Sequence, residues 1–270
     1  MEKTEVPGKI IVPSASLNKV RRIPPAIYYP TVTLIVILVV WELCGQLKLI
    51  DPFMFSWPSN ILMKAWGFII SGEVFKHLAV SAMEVGFGFV MALIGIPIGL
   101  MMGYWKKLEM AFDPFVTALY TTPMIALTPL FVLWFGLGTL SKVMMVFALS
   151  IFPILINTMS GVKMTDLSLI KAARSYGASE FQMFKEVIFP SAIPFIITGI
   201  RLAIGRALIA VVVAEMLAGN IGIGFAIRHA SEMFQNAEYL AYVVILMVLS
   251  IFLTELLKVL EKKLAPWRHR

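Results

Sequence analysis

Six apolar stretches, each close to the length needed to cross a lipid bilayer, constrain this chain more than any other feature. They run over residues 26–44, 77–103, 112–135, 141–160, 192–214 and 239–257. About 20 apolar residues span the hydrocarbon core as a helix, and longer stretches tilt. A soluble domain of 270 residues would need several helices that are greasy all round, buried in one modest core. Only 14% of the residues are charged, against about a quarter in soluble domains. The pattern predicts an all-α polytopic membrane protein with six transmembrane helices. The third and fourth crossings are separated only by "FGLGTLSK", so their boundary can shift or part of that hairpin can be re-entrant.

The net charge of +7 is distributed as a topology signal. With both termini inside, sixteen Lys and Arg residues fall on the inner side and five outside: Lys48, Lys64, Lys76, Lys142 and Arg228. No aromatic-basic platform for nucleic acid accompanies them. Residues 1–25 read as a flexible cytoplasmic arm, 26–257 as the transmembrane domain and 258–270 as a basic cytoplasmic tail. Trp41, Trp57 and Trp66 suit an interfacial belt around the first outer loop.

Catalytic chemistry is hard to find. Cys44 is the sole cysteine, and His77, His229 and His269 are far apart in sequence. The only Gly-Lys pair, Gly8–Lys9, lacks the context of a phosphate-binding loop. No metal, cofactor or catalytic residue is expected on this chain, so any nucleotide energy must come from another polypeptide.

The stretch "KAARSYGASEFQMFKEVIFP", residues 171–190, lies on the inner side and is polar amid greasy neighbours. Asp166 is placed to cap one short helix, with Leu169, Ala172, Ala173 and Tyr176 on a shared face. Gly177 suits the left-handed position that ends it. Ser179 and Gln182 form a capping-box pattern for a second helix carrying Phe181, Phe184 and Ile188. Pro190 is expected to mark a bend before the next crossing. An isolated amphipathic helix of this kind can rest on lipid. The two-helix arrangement and its small-residue surface favour docking to a cytoplasmic partner.

This stretch resembles the EAA loop of ABC-transporter permeases, whose pattern is roughly E-A-A, three residues, G, nine residues, I-x-L-P. The matching positions are Ala172, Ala173, Gly177, Val187, Phe189 and Pro190; Lys171 stands where Glu is usual. "TTPMIALTPLFVLWFGLG" and "SAIPFIITGIRLAIGRALIAVVVAEMLAGNIGIGFAIRHA" are similar to the nitrate, sulfonate and taurine group. The resemblance implies a type I ABC importer permease with a cytoplasmic coupling helix, carried in a coupling loop over residues 161–190, in a bacterial or archaeal membrane. Lys171, Ala172, Ala173, Arg174, Tyr176, Gly177 and Pro190 would serve ATPase coupling. The implied partners are a second permease copy in a homodimer, two ABC ATPases holding ATP and Mg, and an extracytoplasmic solute-binding protein. An ion-coupled transporter or a membrane scaffold remains as the other reading.

Arg201 and Arg206 stand inside the fifth crossing, where a lone Arg costs about 2.5–3.5 kcal/mol on insertion scales. Five residues apart on a helix, they point roughly 140° from each other. Each either lines a path or pairs within the bundle, and Glu84 and Glu215 are open to the same two readings. Gly86, Gly95 and Gly99 are expected to allow close helix packing, with Pro97 kinking the helix or supplying gating flexibility. The segment after Glu215 is expected to loosen through Gly219, Gly222 and Gly224, and the resemblance implies an external gate there.

Overall fold

The computed structural model describes residues 25–51 and 54–264, with side chains from Tyr28 to Leu256. Among them the chain is helical throughout, with no strand. The helices are α1 (Pro25–Gln46), α2 (Pro58–Ile70), α3 (Glu73–Ala92), α4 (Gly95–Tyr104), α5 (Lys106–Thr121), α6 (Thr128–Phe135) and α7 (Thr139–Lys163). They are followed by α8 (Leu167–Ser175), α9 (Glu180–Met183), α10 (Phe189–Ala218), α11 (Ile223–Glu232) and α12 (Asn236–Leu264). The expected N-terminal arm lies outside the described residues except for Pro25, where α1 begins. Over the expected tail the backbone stays helical to Leu264; 265–270 lie outside the described residues.

Among the described residues, five helical stretches are long and apolar enough to cross a membrane: Tyr28–Gln46, Glu73–Tyr104, Thr139–Lys163, Glu180–Ala218 and Asn236–Leu256. The stretch expected as the third crossing is instead a bent helix pair, which counts as a sixth span only if the pair is taken as one. Helix α5 and the segment Met124–Phe135 meet at 80°, so the uniform helix expected over 112–135 does not form. The cause is local. Thr122 precedes Pro123, which disfavours helical backbone, and it adopts an extended ψ of 134°. The Thr121 and Thr122 hydroxyls turn back onto the Ala118 carbonyl at 3.1 and 2.8 Å.

Helix α7 forms the centre. Over half of its spanning window is buried (56%), against 6% for α1 and 11% for α12, which therefore form the periphery. α10 packs along one side of α7 through Met145, Val146, Leu149, Ala207, Ala210, Val211 and Ala214. α3 and α4 pack along another side, where the small residues Gly88, Ala92, Gly95, Gly99 and Gly103 follow helical spacing. A Cβ on Gly99 would stand 2.5 Å from the Leu155 carbonyl oxygen and 2.8 Å from the Thr158 Cβ. Gly95 is similarly close to the Ile151 carbonyl, as expected of a close-packing pair. Gly86, in contrast, has nothing within 4 Å; the packing glycine of that turn is Gly88. Just before Pro97 the ladder tightens: Leu93, Ile94 and Ile96 each bond three residues back.

Two other expectations need correction. The first outer loop contains a 13-residue helix, α2, anchored where Glu42 accepts from the Ser59 amide and hydroxyl at 2.9 and 2.7 Å. Nearby, Trp41 Nε1 donates to the Ser56 carbonyl at 3.0 Å. Lys142, counted among the outer-side charges, is instead sealed inside the bundle: it lies in the first turn of α7 and is 3% exposed.

Candidate functional site

At one end of the bundle, α8 and α9 form an elbow whose joint is built from backbone hydrogen bonds. Asp166 accepts from the Ser168 amide at 2.8 Å and starts α8; that bond holds its carboxyl below the ordinary Asp range. Gly177 takes φ +78°, where a Cβ would be strained. The Gly177 amide donates to the Arg174 carbonyl and the Ala178 amide to the Ala173 carbonyl, at 3.0 and 3.1 Å. These are the two bonds of a Schellman ending. The next helix starts with a reciprocal cap: the Ser179 amide donates to Gln182 Oε1 at 2.8 Å, and the Gln182 amide to Ser179 Oγ at 3.3 Å.

The elbow keeps most of its surface uncovered. Tyr176 is 92% exposed, and Leu167, Leu169 and Phe181 are exposed with it. Lys171, Ala172, Arg174 and Gly177 also face outward, and Ala173 is half-buried. A groove of about 380 Å³ lies between Ala173, Tyr176, Gly177 and the start of the next helix at Gln182, Glu186 and Val187. The elbow is tied to the bundle by Tyr104, which donates to Glu180 at 2.6 Å, and by the burial of Met183 and Ile188.

Pro190 does not end the helix as expected. Phe189 is helical (φ −61°, ψ −47°), and the backbone runs from Glu180 to Ala218 without interruption. A π turn over Phe184–Ile188 precedes the proline, shifting the ladder where Pro190 has no N–H to give. The α9 arm of the elbow and α10 are thus one continuous helical element.

Along α10 the two arginines diverge as their spacing requires. Arg201 lines a cavity of about 490 Å³ facing α12, with Leu246, Ser250 and Thr254. Arg206 faces the broken crossing instead. Its guanidinium donates to the Tyr120 hydroxyl at 3.2 Å and lies 4.9 Å from the centre of that ring. It lines a smaller cavity, about 180 Å³, with Tyr120, Thr122, Met124 and Phe152.

At the end remote from the elbow lies a polar network that sequence reading did not assemble. His77, Ser81 and Glu84 recur on one face of α3. Glu84 meets Lys142 of α7 at 2.6 Å, with the side chains 0% and 3% exposed. It is an ion contact, and neither Glu84 oxygen has an aligned hydrogen-bond donor. Glu215 is fully buried; it accepts from the Ser81 hydroxyl at 2.6 Å and the Gly224 amide at 2.7 Å. The Ile223 amide donates to Ser81 Oγ at 3.0 Å, and the Gly222 amide to His77 Nδ1 at 3.1 Å. Glycine is required at 222: φ is +122°, and a Cβ would run into the Glu215 carboxyl group. The segment expected to loosen through three glycines loosens only over 219–222, since Gly224 already lies in α11. The signal for this network was the 77, 81, 84 spacing, but its partners are 58 to 145 residues further along.

Comparison with known proteins agrees with this architecture. Residues 95–266 match the family model described as "Binding-protein-dependent transport system inner membrane component". A Bacillus subtilis relative named for aliphatic sulfonates transport, SsuC, is 34% identical over 235 residues, covering 87% of this chain and 85% of its own. The formylaminopyrimidine transport permease protein ThiX of Halalkalibacterium halodurans is 32% identical over 242 residues, covering 89% and 96%. Among solved structures, a chain of the inward-facing MetNI methionine ABC transporter superposes with a TM-score of 0.54. It shares 20% identity and covers 72% of this chain and 93% of that one.

Proposed function

The chain belongs to the family of binding-protein-dependent transport system inner membrane components, and on that premise we propose how its parts divide the work of transport. It is a multi-pass transmembrane subunit of an ABC importer and is not itself catalytic; ATP is hydrolysed on separate subunits. In our reading both termini are cytoplasmic, two copies of the chain enclose the path, and each receives one ATPase carrying ATP and Mg. A solute-binding protein delivers cargo from the opposite side.

The observation that carries the reading is the α8–α9 elbow. Its joint is closed by backbone and capping hydrogen bonds, its outer surface is bare, and its α9 arm runs unbroken into the longest helix of the bundle. Ala172, Ala173 and Gly177 leave a low surface against which another protein can close, with Lys171, Arg174 and Tyr176 around it. An ATPase pair that closes on ATP would carry the elbow with it. The π turn would pass that displacement into α10, the helix that carries Arg201 and Arg206. At the far end, the Glu84–Lys142 and Glu215–Gly224 contacts hold α3, α7, α10 and α11 together, and we assign them to closure of that end. Nucleotide drives the cycle only if its states bind the two permease conformations unequally.

For the cargo we propose a small organic sulfonate such as taurine, the class for which the B. subtilis relative is named. The test is uptake into proteoliposomes holding the permease with its ATPase and binding protein. ATP-dependent accumulation of taurine is expected; accumulation without the ATPase, or none of any sulfonate, rejects the reading.

A further inference from the structure

We propose that Arg206, Tyr120 and Thr122 form an anion subsite inside the transmembrane path, which holds the sulfonate head of the cargo as it passes the broken crossing. This rests on the importer reading and adds a place and a chemistry to it.

The argument starts from charge. Arg206 is the eighteenth residue of the thirty in α10, well inside the span, and its side chain is exposed on the surface of the single chain. A guanidinium at that depth is expensive unless it faces protein or water and finds compensation. Among the described residues, its hydrogen bond and its ring contact both go to Tyr120: a neutral hydroxyl and an aromatic face. Buried Lys142 has its carboxylate, and so do Lys163 and Lys64. Arg206 has a neutral cradle. Tyr120 orients the guanidinium and leaves the cation's charge without an acid to offset it.

Geometry then supplies a cavity of the right kind. The cavity beside Arg206 is about 180 Å³, far above the about 10–15 Å³ that one water needs. Phe152, Met124 and Ile125 line its apolar part, and Arg206, Tyr120 and Thr122 its polar part. An alkanesulfonate has this division: a tetrahedral anionic head on a short apolar stem. Guanidinium suits such a head because its planar fork donates two parallel hydrogen bonds to oxyanion pairs. The site sits at the 80° break, where a shift of α6 against α5 would open or close it.

Cysteine protection tests the subsite directly, because Cys44 is the chain's only cysteine. In a Cys44→Ser background of the full complex, Thr122→Cys is labelled with a small methanethiosulfonate reagent. Ethanesulfonate at about 10 mM, a weak-site concentration, is expected to slow labelling several-fold. Neutral dimethyl sulfone is expected to leave labelling unchanged, and Arg206→Gln to abolish the protection while Arg206→Lys keeps part of it. Absence of protection, equal protection by the sulfone, or full protection in Arg206→Gln would each overturn the subsite. Uptake by the unmodified complex reports separately. Protection without any sulfonate uptake would leave the subsite standing and reject the cargo assignment, and uptake without protection would do the reverse.

Discussion

Glu84 of α3 and Lys142 of α7 meet at 2.6 Å in the part of the bundle farthest from the elbow, with their side chains sealed from solvent. Removing one partner leaves the other as a buried, uncompensated charge, which costs about 3–5 kcal/mol. Lys142→Met alone is therefore expected to lower the thermal unfolding temperature of the purified complex sharply. The double variant Glu84→Gln/Lys142→Met is expected to recover much of the loss. A single variant as stable as the parent would show that the pair is not load-carrying in the assembled protein.

The helix-packing glycines separate into two groups with opposite expectations. Gly99→Leu must displace the Leu155 carbonyl and Thr158, so α4 and α7 would part and folded yield in membranes would fall. Gly86→Ala meets nothing within 4 Å and replaces a poor helix former by the best one, a gain of up to about 1 kcal/mol. Yield and unfolding temperature of the two variants, measured side by side, check the assignment.

The elbow should respond to acid through Asp166. Its carboxyl, lowered by the Ser168 amide, is depressed in the folded state. The stability it contributes is present above the unfolded Asp value, about 3.9, and is lost as pH falls through the folded one. Hydrogen-exchange protection of α8 is expected to drop below about pH 4. Asp166→Asn keeps a capping oxygen and should flatten that dependence.

The joint itself was legible in sequence because its determinants are local. Gly177, Ser179 and Gln182 act through bonds spanning a few residues, and each occupies the predicted place. The phase of α3 was not legible: lipid and protein interior are equally apolar, so spacing alone cannot say whether Gly86 or Gly88 faces α7. The break in the third crossing has a local cue in Pro123 and its effect on Thr122, but the 80° direction the chain then takes, with α6 against α7 and α10, has no trace in the spacing. Lys142 counted as an outer-side charge because its partner lies 58 residues earlier, and a pairing at that range leaves no periodic trace. Arg201 and Arg206 were separated correctly by helical geometry, but which neighbours they meet depended on tertiary packing.

The central claim is that the α8–α9 elbow is the surface that receives a nucleotide-driven partner. Ser175 is exposed beside the joint and Cys44 can be replaced, so Ser175→Cys in a Cys44→Ser chain carries one reactive thiol at the elbow. In cells co-expressing the ATPase, a short bis-maleimide should cross-link this thiol to the ATPase, with a yield that changes when ATP is trapped. Labelling of the thiol from outside intact cells by an impermeant maleimide, with no cross-link to the ATPase, would contradict the account.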